Sequence, residues 1–221
     1  MAPFTIQHGY AAYHGPIPAG AAHRHAAFQI VTAPEGEVTI LDAAGVPHRA
    51  AALLVTPMTR HRLLAVPEAE TFFVDPQSAL ADRLRAVSSP RAGIAVLHDL
   101  RPDDIHRQAA LASAVLDPRL VAAMALPHLA MPEVAARVGL SPQRLRALAR
   151  AELGLPLARW RIWARLQRAA EAMRDGRPLA EAAVTAGFAD QSHLTRWMRE
   201  MMGLTPAEVL PALRDHPGPA V

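Results

Sequence analysis

The chain has no cysteine among its 221 residues. Disulfides and thiolate metal sites are therefore excluded, and the composition fits a reducing compartment. Lysine is absent too: all 23 basic side chains are Arg. With abundant Ala and 20 Pro, that bias reads as genomic base composition and not as function. No run approaches the roughly 20 apolar residues of a membrane span. The first ten residues, MAPFTIQHGY, lack a basic stretch followed by an apolar one, so no signal peptide is expected. The 12 Gly are scattered at turns and form no phosphate-cradling loop. Ser88, Ser89 and Ser113 have no His or Asp arranged for nucleophilic catalysis. The expectation is a cytoplasmic protein, off the membrane, that is not an enzyme.

What is present is apolar content and an uneven charge. Hydrophobic residues make up 51%, enough for sizeable cores in one or two domains. Residues 1–116 hold 9 Arg against 10 acidic residues, whereas residues 117–221 hold 14 Arg against 10. The positive excess lies in the second half, as contact with phosphates would require.

That half contains a pattern twice. Ala182 to Pro206 reads AAVTAGFADQSHLTRWMREMMGLTP. Small apolar residues at Ala182, Ala183, Val184 and Ala186 suit a short packed helix, and Gly187 supplies a turn where positive φ is free of penalty. Asp190 stands at an N-cap position. Leu194, Trp197, Met198 and Met201 then recur with helical spacing, leaving Gln191, Ser192, Thr195, Arg196 and Arg199 on the other face. The earlier copy, VAARVGLSPQRLRALARAELGLP from Val134, matches at Gly139, Leu145 and Gly154. Ser141 and Pro142 give it an N-cap and a Pro at the first helical position. Leu145, Leu148 and Ala149 face inward; Gln143, Arg146, Ala147 and Arg150 share the outer stripe. Two helices joined by a short Gly turn form a helix-turn-helix, whose second helix enters the DNA major groove. Leu157 to Arg174 reads as one helix between the copies. It would span roughly 25 Å, against roughly 34 Å for a turn of DNA.

These residues carry a resemblance. The wording GRPLAEAAVTAGFADQSHLTRWMREMMGLTPAEV is similar to that of the AraC-family DNA-binding domain, and the likeness covers about residues 117 to 213. The resemblance implies base reading by Gln143, Arg146 and Ala147 in the first motif and by Gln191, Ser192, Thr195 and Arg196 in the second. Gln143 suits adenine, Arg146 and Arg196 suit guanine, and Ala147 offers only a methyl contact to thymine. Arg144, Arg150 and Arg199 fit phosphates, which position without specifying. Two departures stand out: the short Ala147, and Leu157 where the family has Pro three residues past the Gly.

Residues 4 to about 75 read as β. FTIQH, AFQIVTA, EVTILD, ALLVTP, RLLAV and ETFFVD are short apolar runs punctuated by Gly, Pro and Asp, as in a small barrel or sandwich. In context they resemble the cupin-like sensor domain that precedes the DNA-binding domain in many family members. The expected class is α+β, with a small cupin-like β-barrel followed by an all-α domain of two helix-turn-helix motifs joined by a long helix. The expected units are 1–75 (barrel), 76–116 (connector and dimerisation segment), 117–213 (DNA-binding domain) and 214–221 (flexible tail). Within the connector the pattern predicts a helix from a capping Asp75 to Val87, a strand at Gly93 to His98 and a helix from Pro102 to Leu116.

Eight of the 11 His lie in the first half. His23 and His25 flank Arg24, and His61 follows in TPMTRHRLL. Metal-binding cupins use an HxH pair, a nearby Glu and a later His; here Gln29 holds the Glu position. Three His with an open position suit Zn, Ni, Fe or Cu. Three readings stay open: a divalent metal on His23, His25 and His61; a small organic effector touching the same residues and Gln29; or a barrel that only dimerises. The functional expectation is a homodimeric transcription regulator bound to promoter DNA and responsive to a ligand or metal, as activator or repressor. The alternatives are a constitutive regulator and a cupin enzyme fused to a helical domain.

Overall fold

The computed structural model describes residues 4–88, 93–98 and 102–214. The expected flexible tail lies, from residue 215 on, outside the described residues. Among the described residues nine strands come mostly first: β1 (Phe4–Gln7), β2 (Tyr10–Ile17), β3 (Phe28–Thr32), β4 (Val38–Leu41), β5 (Pro47–Ala50), β6 (Ala52–Val55), β7 (Arg62–Leu63), β8 (Val66–Val74) and β9 (Ile94–Val96). Nine helices among the described residues follow or interleave: α1 (Ala79–Val87), α2 (Pro102–Ala109), α3 (Pro118–Met124), α4 (Met131–Arg137), α5 (Pro142–Leu153), α6 (Leu157–Arg174), α7 (Leu179–Thr185), α8 (Gln191–Met202) and α9 (Pro206–Arg214).

The strands do not close into a barrel. They make a six-stranded sheet of order β1-β2-β8-β3-β6-β9 and a separate three-stranded sheet of order β5-β4-β7. The sheets pack through Val31, Val38, Ile40, Leu53, Val55 and Leu63 and share no ladder. β7, with two residues, is too short to carry hydrogen bonding from one sheet to the other.

Strand alternation sorts the side chains of the large sheet onto two faces. Phe28, Ile30, Phe72 and Val74 pack under α1 and α2 with Leu80, Leu84 and Ile105. Phe73 points the other way, into a core that runs on into the helical half through Trp163, Met198 and Met201. Gln29 pairs in register with Phe73 and so shares that second face.

The connector departs from expectation in three places. Ser78, not Asp75, caps α1, accepting from the Ala81 N–H. Val87 at the end of α1 is 61% exposed and does not join Leu80 and Leu84 inside. The helix expected to run from Pro102 to Leu116 stops at Ala109. There the chain turns back to pair with the start of α1: the Ala79 N–H donates to Leu111 O (2.8 Å) and the Ser113 N–H to Gln77 O (2.7 Å).

Candidate functional site

Two sites emerge. The first lies on α5 and α8, which are built alike. Each has 12 residues and opens on a side-chain cap, Ser141 accepting from the Arg144 N–H and Asp190 from the His193 N–H. Each ends on a left-handed glycine, Gly154 at φ 71° and Gly203 at φ 69°. Leu145 and Ala149 bury one face of α5; Leu194, Met198 and Met201 bury one face of α8. Leu148 and Trp197, expected inside, are only half-buried, and Trp197 instead donates its indole N–H to His193 Nε2 at 2.8 Å. On the preceding α7, Ala182 and Ala183 are buried as expected but Val184 is 62% exposed.

The side chains expected to touch DNA lie on the outer faces. Gln143, Arg144, Arg146, Ala147 and Arg150 of α5 are exposed, as are Gln191, Ser192, Arg196 and Arg199 of α8. Thr195 is half-buried and donates its hydroxyl to Gln191 O at 2.9 Å. Its outward face therefore offers a methyl and lone pairs. None of these five Arg forms an ion pair among the described residues. Other Arg residues of the helical half do: Arg159 with Glu200, Arg177 with Glu181, Arg119 with Asp117.

The second site lies between the two halves. His23, His25 and His61 come together although 35 residues of chain, 26–60, separate the last two. A two-residue antiparallel bridge sets His23 opposite His61: each N–H donates to the other's carbonyl, at 2.9 and 3.0 Å. The Met58 N–H donates to His25 O at 2.7 Å, and Met58 itself sits at φ 64°, a left-handed conformation uncommon for a side chain of its size. All three rings are buried, with one ring nitrogen from each within 4.8 Å of the others.

The partners of the rings fix their tautomers. Each Nδ1 meets a main-chain carbonyl: His23 with Ala21 O at 2.9 Å, His25 with Ala27 O at 3.2 Å, His61 with Thr59 O at 3.0 Å. A carbonyl only accepts, so each Nδ1 carries the proton and each Nε2 is left with a lone pair. The Gln29 Oε1, an acceptor, stands 3.0 Å from His25 Nε2 and 2.9 Å from His61 Nε2. Burial holds the His25 imidazole well below the ordinary His range, with His61 and His23 adding to the effect. Burial likewise pushes His61 down to about 4, His23 contributing, and lowers His23. All three rings are therefore neutral near pH 7.

His23 and Gln29 form part of the wall of a cavity of about 180 Å³, otherwise mostly apolar, with Phe4, Ile17, Leu63 and Phe73 on one side and Met202, Gly203 and Val209 on the other. Thr71 lines it too; its hydroxyl is buried and has no hydrogen-bond partner among the described residues. No Arg lines this cavity. A larger open cleft of about 690 Å³ lies between Arg60, Arg85 and Glu152. Among the described residues no cluster of metal-ligating side chains lines that cleft.

Residues 134–211 match the model of a helix-turn-helix domain family. The C-terminal region is an AraC-type helix-turn-helix domain. Over nearly the whole chain the fold is similar to ToxT from Vibrio cholerae, at a TM-score of 0.61 and 10% identity, covering 95% of this chain and 100% of that one. An unsaturated-fatty-acid-bound ToxT matches similarly: TM-score 0.62, 10% identity, 96% and 98% covered. A transcriptional regulator with an AraC-type domain from Chromobacterium violaceum is 23% identical over 47% of this chain and 96% of its own, at a TM-score of 0.42. No curated protein matches the sequence.

The AraC-type domain is bound to the sheet half by residues whose role across that boundary no local sequence pattern shows. Asp75, at the end of β8, accepts from Trp163 Nε1 at 3.1 Å and Gln167 Nε2 at 2.9 Å, both on α6. Gln77 accepts from Trp160 Nε1 at 3.1 Å. The Trp163 ring in turn stands 6.3 Å from the His25 ring. Two Trp three residues apart on one helix were the available signal, but nothing local names their partners.

Proposed function

We propose that the chain is a sequence-specific regulator of transcription that binds promoter DNA as a homodimer in the cytoplasm and whose N-terminal sheet half senses an effector. The observation that carries the reading is the repeated construction of α5 and α8. The same caps, length and buried face present polar side chains and unpaired Arg outward twice, in the half of the chain with the positive excess. On this reading 117–213 is the DNA-binding unit, with α6 joining its two helix-turn-helix motifs, 1–75 the sensor and 76–116 the connector. Gln143, Arg146, Ala147, Gln191, Ser192, Thr195 and Arg196 face base edges, while Arg144, Arg150 and Arg199 face phosphates.

Exposed apolar side chains on the connector, Val87 (61%), Leu111 (61%) and Val115 (70%), support dimerisation there. For the effector, the interdomain cavity is the candidate: it is mostly apolar and touches both halves. ToxT structures with an unsaturated fatty acid or (E)-4-(8-methylnaphthalen-1-yl)but-3-enoic acid bound favour a small ligand with an apolar body in a fold of this kind. An effector there acts by shifting the population of arrangements in which α5 and α8 meet DNA together.

The test is a pair of variants on a duplex selected from a random library. Arg196→Ala should lose about 1–3 kcal/mol on the selected site and relax one base position. Arg199→Ala should weaken selected and scrambled duplexes alike and flatten the salt dependence by about one counterion. Equal losses on both duplexes for Arg196→Ala would sink its base-reading role.

A further inference from the structure

The histidine cluster is built more exactingly than packing requires. Three neutral rings bring one ring nitrogen each to within 4.8 Å of the others, with the Arg60 charge acting on His23. The Gln29 amide is the one side chain bridging two of them. Its Oε1 is an acceptor facing two ring lone pairs, with no proton to share between them, and the third ring, His23, lies on the cavity wall. Neutral imidazoles whose other N–H is held by a main-chain carbonyl are what a metal ligand needs: tautomer fixed, lone pair aimed. Ligands on a tetrahedral zinc ion, at about 2.0–2.1 Å each, lie roughly 3.3 Å apart. The ring nitrogens, within 4.8 Å of one another, sit slightly open around such an ion. A second observation points the same way. The Thr71 hydroxyl is buried, unpartnered and on the wall of the cavity that His23 and Gln29 also line. It is placed to hold a water or ligand there.

The cluster also touches the DNA-binding helices. Gly203, the cap of α8, lies so close to His23 that a Cβ there would stand 2.9 Å from its Nδ1. On the other side His25 packs against Phe73 and Trp163, the latter on α6.

We propose that His23, His25 and His61, with the Gln29 side-chain oxygen as fourth donor, bind a divalent transition metal of the zinc class, and that the bound ion couples to DNA affinity through the His23–Gly203 contact. Three imidazoles and an amide oxygen, with no thiolate, suit zinc, nickel or cobalt. Fixing His23 on an ion fixes the surface on which the end of α8 rests. By linkage, the factor by which metal changes DNA affinity equals the factor by which DNA changes metal affinity, and such couplings typically run to about 5–150-fold. The coupling rests on α8 contacting DNA; the metal site does not.

The experiment uses untagged full-length protein stripped with a chelator. Titration with Co²⁺ should give the visible d–d bands of a four-coordinate ion, saturating at one per chain and displaced by Zn²⁺. His61→Ala should abolish the bands. Because a buried His→Ala change can also unfold the chain, Gln29→Glu is the second variant: a carboxylate in place of the amide should keep the fold and tighten Zn²⁺ by about tenfold or more, the scale on which ligand surroundings tune affinity. Absence of bands from the folded wild type, or a Zn²⁺ affinity unmoved by Gln29→Glu, overturns the site. DNA affinity is then measured on the selected duplex with Zn²⁺ and with chelator. A several-fold difference, mirrored in Zn²⁺ affinity with and without DNA, is expected; identical affinities overturn the coupling. If the stripped protein selects no DNA sequence at all, the DNA-binding reading fails, while the cobalt spectrum still decides the metal site on its own.

Discussion

A single buried carboxylate ties the two halves of the molecule together. Asp75 accepts two hydrogen bonds from α6, and it is the first residue after β8, where the chain leaves the sheet. Asp75→Ala leaves the Trp163 N–H buried without a partner, which should cost about 1–3 kcal/mol in denaturant unfolding. Asp75→Asn keeps an acceptor for both donors and should lose much less. Burial raises the Asp75 pKa, against the pull of its bonds to Trp163 and Gln167 and the charge of His8. A raised folded pKa means that the folded state holds the proton more tightly. Relative to Asp75→Asn, wild type should therefore gain stability as pH falls from neutrality toward 3.8, the ordinary Asp value, and lose that gain as pH rises again. A pH-independent difference between the two proteins would contradict this account of the carboxylate. The sequence did not reveal this role. Asp75 followed by Pro76 reads as a helix start, and only the position of α6 shows where the carboxylate is used.

Among the elements, the helices were far more legible than the strands. α5, α6 and α8 each announce themselves within their own residues: Ser141 and Asp190 cap, Gly154 and Gly203 stop, and α6 runs over the expected Leu157 to Arg174. β2 and β5 were missed because their residues carry no alternating apolar signal. β2 reads YAAYHGPI, with a register shift between Gly15 and Ile17, and β5 is the polar edge PHRA. The helix expected through residue 116 ends at 109 because segment 110–113 pairs with the start of α1, which no local pattern encodes. The two glycine caps give a matched test. Gly154→Ala meets open space, so it should cost only the left-handed penalty of about 1–2 kcal/mol. Gly203→Ala pays the same and also drives its methyl against His23. It should destabilise more, and a His23→Ala change in that background should return part of the difference. Equal melting-temperature losses for the two Ala variants would remove His23 from contact with the end of α8.

In the whole molecule, one apolar core crosses the boundary that composition draws near residue 117. Phe4, Ile6, Ala11 and Phe73 from the sheet pack in the same cluster as Trp163, Leu194, Met198 and Met201. The molecule should therefore unfold in one cooperative step, with Trp fluorescence (all three Trp lie in the helical half) and far-ultraviolet circular dichroism tracing one transition. Two separated transitions would mean independent halves and a weak route from the histidine site to DNA. The three His were singled out by type and spacing alone. Their convergence, the Gln29 bridge, the orphan Thr71 hydroxyl and the contact with Gly203 are long-range facts of packing. On the proposed function, the molecule reads DNA sequence through α5 and α8. The most direct test of that reading is fluorescence anisotropy of the full chain at physiological salt, on a duplex it has selected and on a scrambled copy of equal length. The account predicts tighter binding to the selected duplex by about 10³-fold or more. Equal affinities for the two duplexes would contradict it.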